Sequence, residues 1–172
     1  MKSGANFTAY AVEKNSTNTA IFLLLLGRRL AKFGVDLSKT TIQTDNGTEF
    51  AAAWNTVKKS AFTKACEMIL GCRHKTIPPN SPTWNSDVET SHNIIENEFY
   101  AVEYFNSRKD FFEKAAKYQR DFNLTRVNKW RGGTPRELAG SEFPQELFEF
   151  PPVIVDDFWD LCKDDFAKFS SA

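Results

Sequence analysis

Cysteine and histidine are scarce, and that scarcity excludes several kinds of chemistry. Three cysteines (Cys66, Cys72 and Cys162) leave an odd count and no disulfide framework. Cys66, Cys72 and His74 invite a zinc reading, but no second ligand pair stands at a metal-binding spacing, and that reading is rejected. Long apolar runs are absent too: the longest, Ala20 to Leu26, falls far short of a membrane span. The start, Met1-Lys2-Ser3-Gly4, lacks the apolar stretch of a signal peptide. A reducing cytoplasm is the expected location, with no membrane partner. Net charge is also missing, since 22 Lys and Arg balance 22 Asp and Glu. Internal repeats are not seen.

What is present suits one globular domain. The chain has 172 residues, of which 41% are hydrophobic, enough for a packed core. The charge is unevenly spread. From Ser107 to Arg136 nine Lys and Arg face three Asp and Glu, a net of +6. From Glu137 to the end two Lys face nine acids, a net of −7. A basic segment followed by an acidic tail is compatible with phosphate contact by the first. Two solvated helix faces would produce the same pattern, and charge alone favours that plainer reading.

The periodicity alternates strands with helices. Phe7 to Glu13 alternates like a strand. Asn15, Ser16, Thr17 and Asn18 are candidate N-caps for a helix that runs through Leu24 and Phe33 and stops at Gly34. Lys39 to Thr44 predicts a short strand ending on Asp45-Asn46-Gly47, a turn signal. Glu49 to Leu70 keeps helical spacing, and Arg73 to Ile77 predicts a third strand. Pro78 to Pro82 forces a loop, and Ser86 opens a helix. Arg108 to Leu124 carries a stripe of Phe111, Ala115, Tyr118 and Phe122. The order is that of an α/β domain over residues 1–140, followed by an acidic, Pro- and aromatic-containing tail over 141–172. Asp45 falls at a strand's carboxyl end, where such folds gather ligand groups. Trp54, Trp84, Trp130 and Trp159 could stack on bases, although core or rim packing is the reading for most of them.

Two segments carry chemistry. One is Thr44-Asp45-Asn46-Gly47-Thr48-Glu49-Phe50, and the other runs from Ile77 through the Pro-rich loop to Trp84-Asn85-Ser86-Asp87-Val88-Glu89-Thr90. Downstream stand Asn123-Leu124-Thr125-Arg126 and Gly133-Thr134-Pro135. In this order they resemble the catalytic core of retroviral integrases and of bacterial insertion-sequence transposases, over roughly residues 4 to 140. The resemblance implies an RNase H-like fold, a mixed sheet flanked by helices. It implies DNA transposition or integration by metal-dependent cleavage and strand transfer at element ends. Asp45 and Glu89 would be the catalytic carboxylates and the ligands of Mg²⁺ (or Mn²⁺), a hard cation that prefers carboxylate oxygens. Asn46, Gly47, Lys75, His92, Asn93 and Arg126 would contact DNA. The partners implied are element ends, target DNA and further copies of the chain.

Rival readings stand beside each of these. Ser86-Asp87-Val88-Glu89 is also a capping box, in which Glu89 would bond the helix N-terminus. Glu89, His92, Asn93 and Glu96 share one polar helix face, which could simply be solvated. For Arg126 and Asn123 packing and DNA contact are evenly matched. The resembled family uses three carboxylates, and the first-strand Asp has no counterpart, because Glu13 and Asp36 occupy other positions. The chain is therefore expected to begin after the first strand and most of the second. It would be marginally stable, inactive by itself, or completed by another chain. Two alternatives follow. One is a non-catalytic remnant that binds DNA or full-length transposase. The other is a nuclease of similar fold that cuts without joining.

Overall fold

The computed structural model describes residues 3–50, 59–77 and 86–156. The Pro-rich loop, Trp54, Trp84, Trp159 and Cys162 lie outside the described residues. The chain is a mixed α/β structure with two small parallel sheets. In order it forms β1 (Ala9–Tyr10), α1 (Ser16–Lys32), β2 (Thr41–Thr44), α2 (Ala61–Lys64), β3 (Arg73–Thr76) and α3 (Ser86–Ile95). Then come α4 (Arg108–Leu124), α5 (Pro135–Ala139), α6 (Gln145–Phe148) and β4 (Val153–Ile154). Both α2 and α3 continue into a single π-helical turn, Ala65–Ile69 and Glu96–Tyr100 respectively.

The sequence predicts one mixed sheet. Among the described residues the strands instead form two separate parallel pairs, β1 with β4 and β2 with β3. β1 is two residues long, so its ladder to Val153 and Ile154 is brief, and its partner comes from far along the chain rather than from β2 or β3. No ladder among the described residues joins the two pairs.

Local signals account for the helices. The Asn15 side chain accepts the Asn18 N–H at 2.9 Å and starts α1. Gly34, with φ of +86°, sits just beyond its last turn, a conformation that costs glycine little. Ser107 starts α4 in the same way, accepting the Asp110 N–H at 3.1 Å. The predicted helix over 49–70 is interrupted. Ser60 is extended (φ −63°, ψ 164°) and its Oγ accepts the Thr63 N–H, so a new helix starts at Ala61. Ser60 Oγ also donates to the Phe50 carbonyl at 2.6 Å, tying that break to the turn after β2. Residues 51–58 lie outside the described residues.

Three apolar clusters hold these parts. Ala20 and Leu23 of α1 pack on Phe62, Ala65 and Cys66, with Ile42 of β2 and Phe50 against them. Gly27 is buried at the crossing of α1 with the end of the π turn, where a side chain would run into Leu70. Leu30 and Phe33, one turn further along α1, pack on Ala139, Leu147 and Phe148. Ile95 and Phe99 pack on Ala115 of α4, with Tyr10, Phe105, Phe111 and Tyr118 around them. Residues 141–156, which read in sequence as the first part of an acidic tail, thus supply Leu147, Phe148 and Val155, all almost wholly buried.

Polar groups join these clusters as well. Asn123 is fully buried on α4; its Oδ1 accepts the Asn6 N–H and its Nδ2 donates to the Asn6 carbonyl, both at 2.8 Å. One turn earlier, Gln119 Oε1 accepts the Thr8 N–H at 2.7 Å, and its Nε2 donates to the Phe150 carbonyl. Replacing Asn123 with Leu keeps the bulk but strands two backbone groups. We expect a loss of about 2–6 kcal/mol in unfolding free energy by urea titration, at roughly 1–3 kcal/mol for each of the two unsatisfied groups. A loss under about 1 kcal/mol would mean that water or a relaxed backbone replaces the amide.

Candidate functional site

Because β2 and β3 run parallel in register, with Thr44 opposite Thr76, their carboxyl ends finish side by side. The residues that follow, Asp45 and Ile77, leave the sheet at one edge, where α/β folds gather ligand groups. Asp45 is exposed, and its Oδ1 accepts the Gly47 N–H at 2.9 Å, an Asx turn. Asn46 Nδ2 donates to the Ile77 carbonyl at 2.8 Å, while the Ile77 N–H donates to the Thr44 carbonyl at 2.8 Å. The Asp-Asn-Gly turn is therefore pinned to the chain just where the Pro-rich segment departs.

Gly47 has a steric duty. A Cβ there would stand 2.6 Å from Glu49 Oε2, so the absence of a side chain lets the Glu49 carboxylate fold back beneath the turn. Glu49 is only 5% exposed. Lys14 Nζ lies 2.6 Å from its Oε1, charge to charge and off the line of a well-aligned hydrogen bond. Burial pushes the Glu49 carboxyl up, but the Lys14 ammonium and a backbone N–H together outweigh it, and the group is held below its ordinary value of 4.5. The Lys14 ammonium is raised, first by Glu49 and to a smaller degree by the charge of Asp45. Asp45 and Glu49 thus face one shared cation. Glu49 is absent from the candidates read in the sequence; its signal is the second acid four residues after Asp45 in one turn.

His74 of β3 braces the same edge. Its Nε2 is 2.9 Å from Thr44 Oγ1, and its Nδ1 is 3.0 Å from Thr63 Oγ1 of α2. The ring packs edge-on against Phe62, with centroids 5.2 Å apart. Burial holds this imidazole below its ordinary value of 6.5, partly offset by Glu67. The nearby Cys66 and Cys72 are buried in the apolar cluster, and burial pushes the Cys66 thiol up to about 12. They are inert packing groups.

The remaining candidates lie elsewhere. Glu89, His92 and Asn93 are exposed on α3, and Glu96 is exposed on the π turn that extends it. Among the described residues no hydrogen bond or ion pair links Glu89 to the Asp45 turn. Lys75 is exposed on β3, opposite Gln43. Arg126 is committed to Glu98: its Nε lies 3.1 and 2.8 Å from the two carboxylate oxygens and its Nη2 2.6 Å from Oε1. Its guanidinium also covers the Phe122 ring at 5.1 Å. With Asn123 buried as described, the Asn-x-x-Arg pair packs α4 against its neighbours. Thr134 and Glu137 form a reciprocal capping box with Pro135 at the first position of α5, so the Gly-Thr-Pro segment starts a helix.

The chain matches no protein-family model and no curated protein.

The His74 bridge has a pH signature. Its folded-state value lies below the unfolded one, so the stability it lends is present above about 6.5 and is lost as pH falls through the folded value. Glu49, also depressed, acts further down, below its ordinary 4.5. Urea midpoints should therefore fall between pH 7.5 and 5.5, and the fall should shrink in His74→Gln. An unchanged slope in that variant would show that His74 carries none of it.

Proposed function

We propose that the chain acts on DNA as the core of a transposase or integrase, with an RNase H-like arrangement in which Asp45 is the central carboxylate. The observation that carries this reading is the placement of Asp45 at the paired carboxyl ends of two parallel strands, in a turn tied by Asn46 to the exit of β3. That exit leads through the Pro-rich segment to the helix bearing Glu89.

The donors suit a hard divalent cation. Asp45 and Glu89 are exposed carboxylates, and the second oxygen of Asp45 carries no hydrogen bond among the described residues. When bound, Mg²⁺ or Mn²⁺ would supply the polarisation of a phosphodiester and the activation of an attacking oxygen. The chain's own residues do the rest. The Asx turn fixes the Asp45 carboxylate, and Asn46 fixes that turn to β3. Lys14, paired with Glu49, offsets one of the acidic charges beside Asp45. Exposed His92 and Asn93 on α3 face solvent where phosphates could approach, whereas Arg126 would first have to leave Glu98.

Asp45→Asn is an apt probe because an amide oxygen can still accept the Gly47 N–H. Labelled duplex DNA is incubated with the chain and Mg²⁺ or Mn²⁺, and nicked and joined products are resolved. Mn²⁺ binding is followed in parallel by its paramagnetic resonance. We expect Asp45→Asn and Glu89→Gln each to weaken metal binding by more than about tenfold, and to abolish any nicking and joining. Cleavage or Mn²⁺ binding that both variants leave intact would overturn the site. DNA binding without a metal effect would leave the non-catalytic reading, and cutting without joining the nuclease reading.

A further inference from the structure

The loop between α4 and α5 is closed by its own hydrogen bonds and presents one bare aromatic ring. After Leu124 the Thr125 and Arg126 N–H groups both close on the Asp121 carbonyl at 2.9 Å. Asn128 and Gly133 then form an antiparallel bridge, with the Asn128 N–H on the Gly133 carbonyl at 2.9 Å. The Asn128 carbonyl accepts the N–H groups of Arg131 and Gly132 at 3.1 and 2.8 Å. Its side-chain oxygen accepts those of Trp130 and Arg131 at 3.0 and 3.1 Å. Gly132, at φ of +74°, turns the chain back. The tip's backbone is thus held from inside by one asparagine.

At that tip Trp130 is 99% exposed. A large ring so bare on so well-bonded a turn is available on both faces. Lys129 and Arg131 flank it in sequence, and the Arg131 guanidinium lies against Gly4, bracing the tip on the start of the chain. The segment 107–136 carries a net +6, of which Arg120 and Arg126 pair with Glu149 and Glu98 outside it, while Lys129 is exposed beside the ring in sequence. Between Leu124 and Pro135 the one other exposed large apolar side chain is Val127, too little for the contiguous apolar patch of a protein-docking hot spot. The tip has what a strand of nucleic acid needs: a flat face for a base and positive charge for phosphates.

We propose that Trp130 is a stacking platform for an unpaired nucleobase, so that this loop binds single-stranded or frayed DNA. Bases inside a duplex hide their faces in the stack, so the indole selects unpaired ones. The inference rests on the reading of DNA as partner, and not on catalysis.

The test is run in EDTA, so that metal chemistry plays no part. Binding of the chain to a labelled 20-nucleotide single strand, to the same strand with abasic sites and to a blunt duplex is followed by fluorescence anisotropy at low salt. Trp130→Ala should weaken single-strand binding by roughly 5- to 150-fold, and Trp130→Phe should keep most of it. Neither should alter binding of the abasic strand or the duplex, and Asp45→Asn should bind like the parent. Thermal unfolding by circular dichroism should be unchanged in Trp130→Ala, because the ring is not packed. Equal binding of the single strand by parent and Trp130→Ala would overturn the proposal. So would an equal loss on all three ligands, or no single-strand binding by the parent. Duplex binding that persists in that case leaves the DNA reading standing and sinks only the loop.

Discussion

Two buried side-chain amides on one helix join segments that lie more than a hundred residues apart in the chain. Gln119 and Asn123, one turn apart on α4, reach extended backbone at Asn6 and Thr8, and Gln119 also reaches Phe150. Extended segments with so short a ladder as β1–β4 leave most of their N–H and C=O groups without strand partners. Burying such groups unpaired is costly, and each amide supplies a donor and an acceptor where a ladder would otherwise be needed. The consequence is a meeting point for the segment from Asn6 to Tyr10, the long helix α4 and the segment around Phe148. Leu147, Phe148 and Val155 can then be buried almost completely.

The candidate site stands on a different support, joined to the first through α1. One end of that helix packs on α2 and β2, and the other on the Leu147–Phe148 cluster. At the site itself local hydrogen bonds dominate. Asp45 is oriented by its own turn, the turn by Asn46, and the strand beneath by the Thr44–His74–Thr63 bridge. Glu49 and Lys14 place an ion pair beside this arrangement, one partner buried and the other in water. Such a pair owes its value to the geometry that fixes the buried carboxylate, since the exposed ammonium is well screened.

Elements with strong local codes were legible in the sequence. The Asn15 cap and the Gly34 stop bound α1 as their residue types predict, and the stripe of Phe111, Ala115, Tyr118 and Phe122 marks α4. The strand before Asp45 and the strand after Cys72 were readable because β-branched residues end at turn signals. The break at Ser60 was not, since helical spacing continues across it and only the Phe50 carbonyl, brought near by the fold, rewards the serine for leaving the helix. Strand β4 was hidden in an acidic, Pro-rich stretch, and two residues give no period to detect. Glu49 looked like one more acid in a turn; its burial depends on Gly47 and Lys14 together.

By itself the sequence determined which residues could cap, turn and carry charge, because those properties act over three or four positions. It set Asp45 at the end of a strand and concentrated positive charge between Ser107 and Arg136. Only the tertiary structure decided how those residues are spent. Arg126 lies within a basic segment, yet Glu98, distant in sequence, takes its guanidinium. Asn123 could have faced DNA, yet a backbone more than a hundred residues away consumes its amide. Trp130 could have been core, yet it remains bare at the tip of a closed turn. For Arg126 and Asn123 the deciding partner is far along the chain, where no periodicity or spacing can register it.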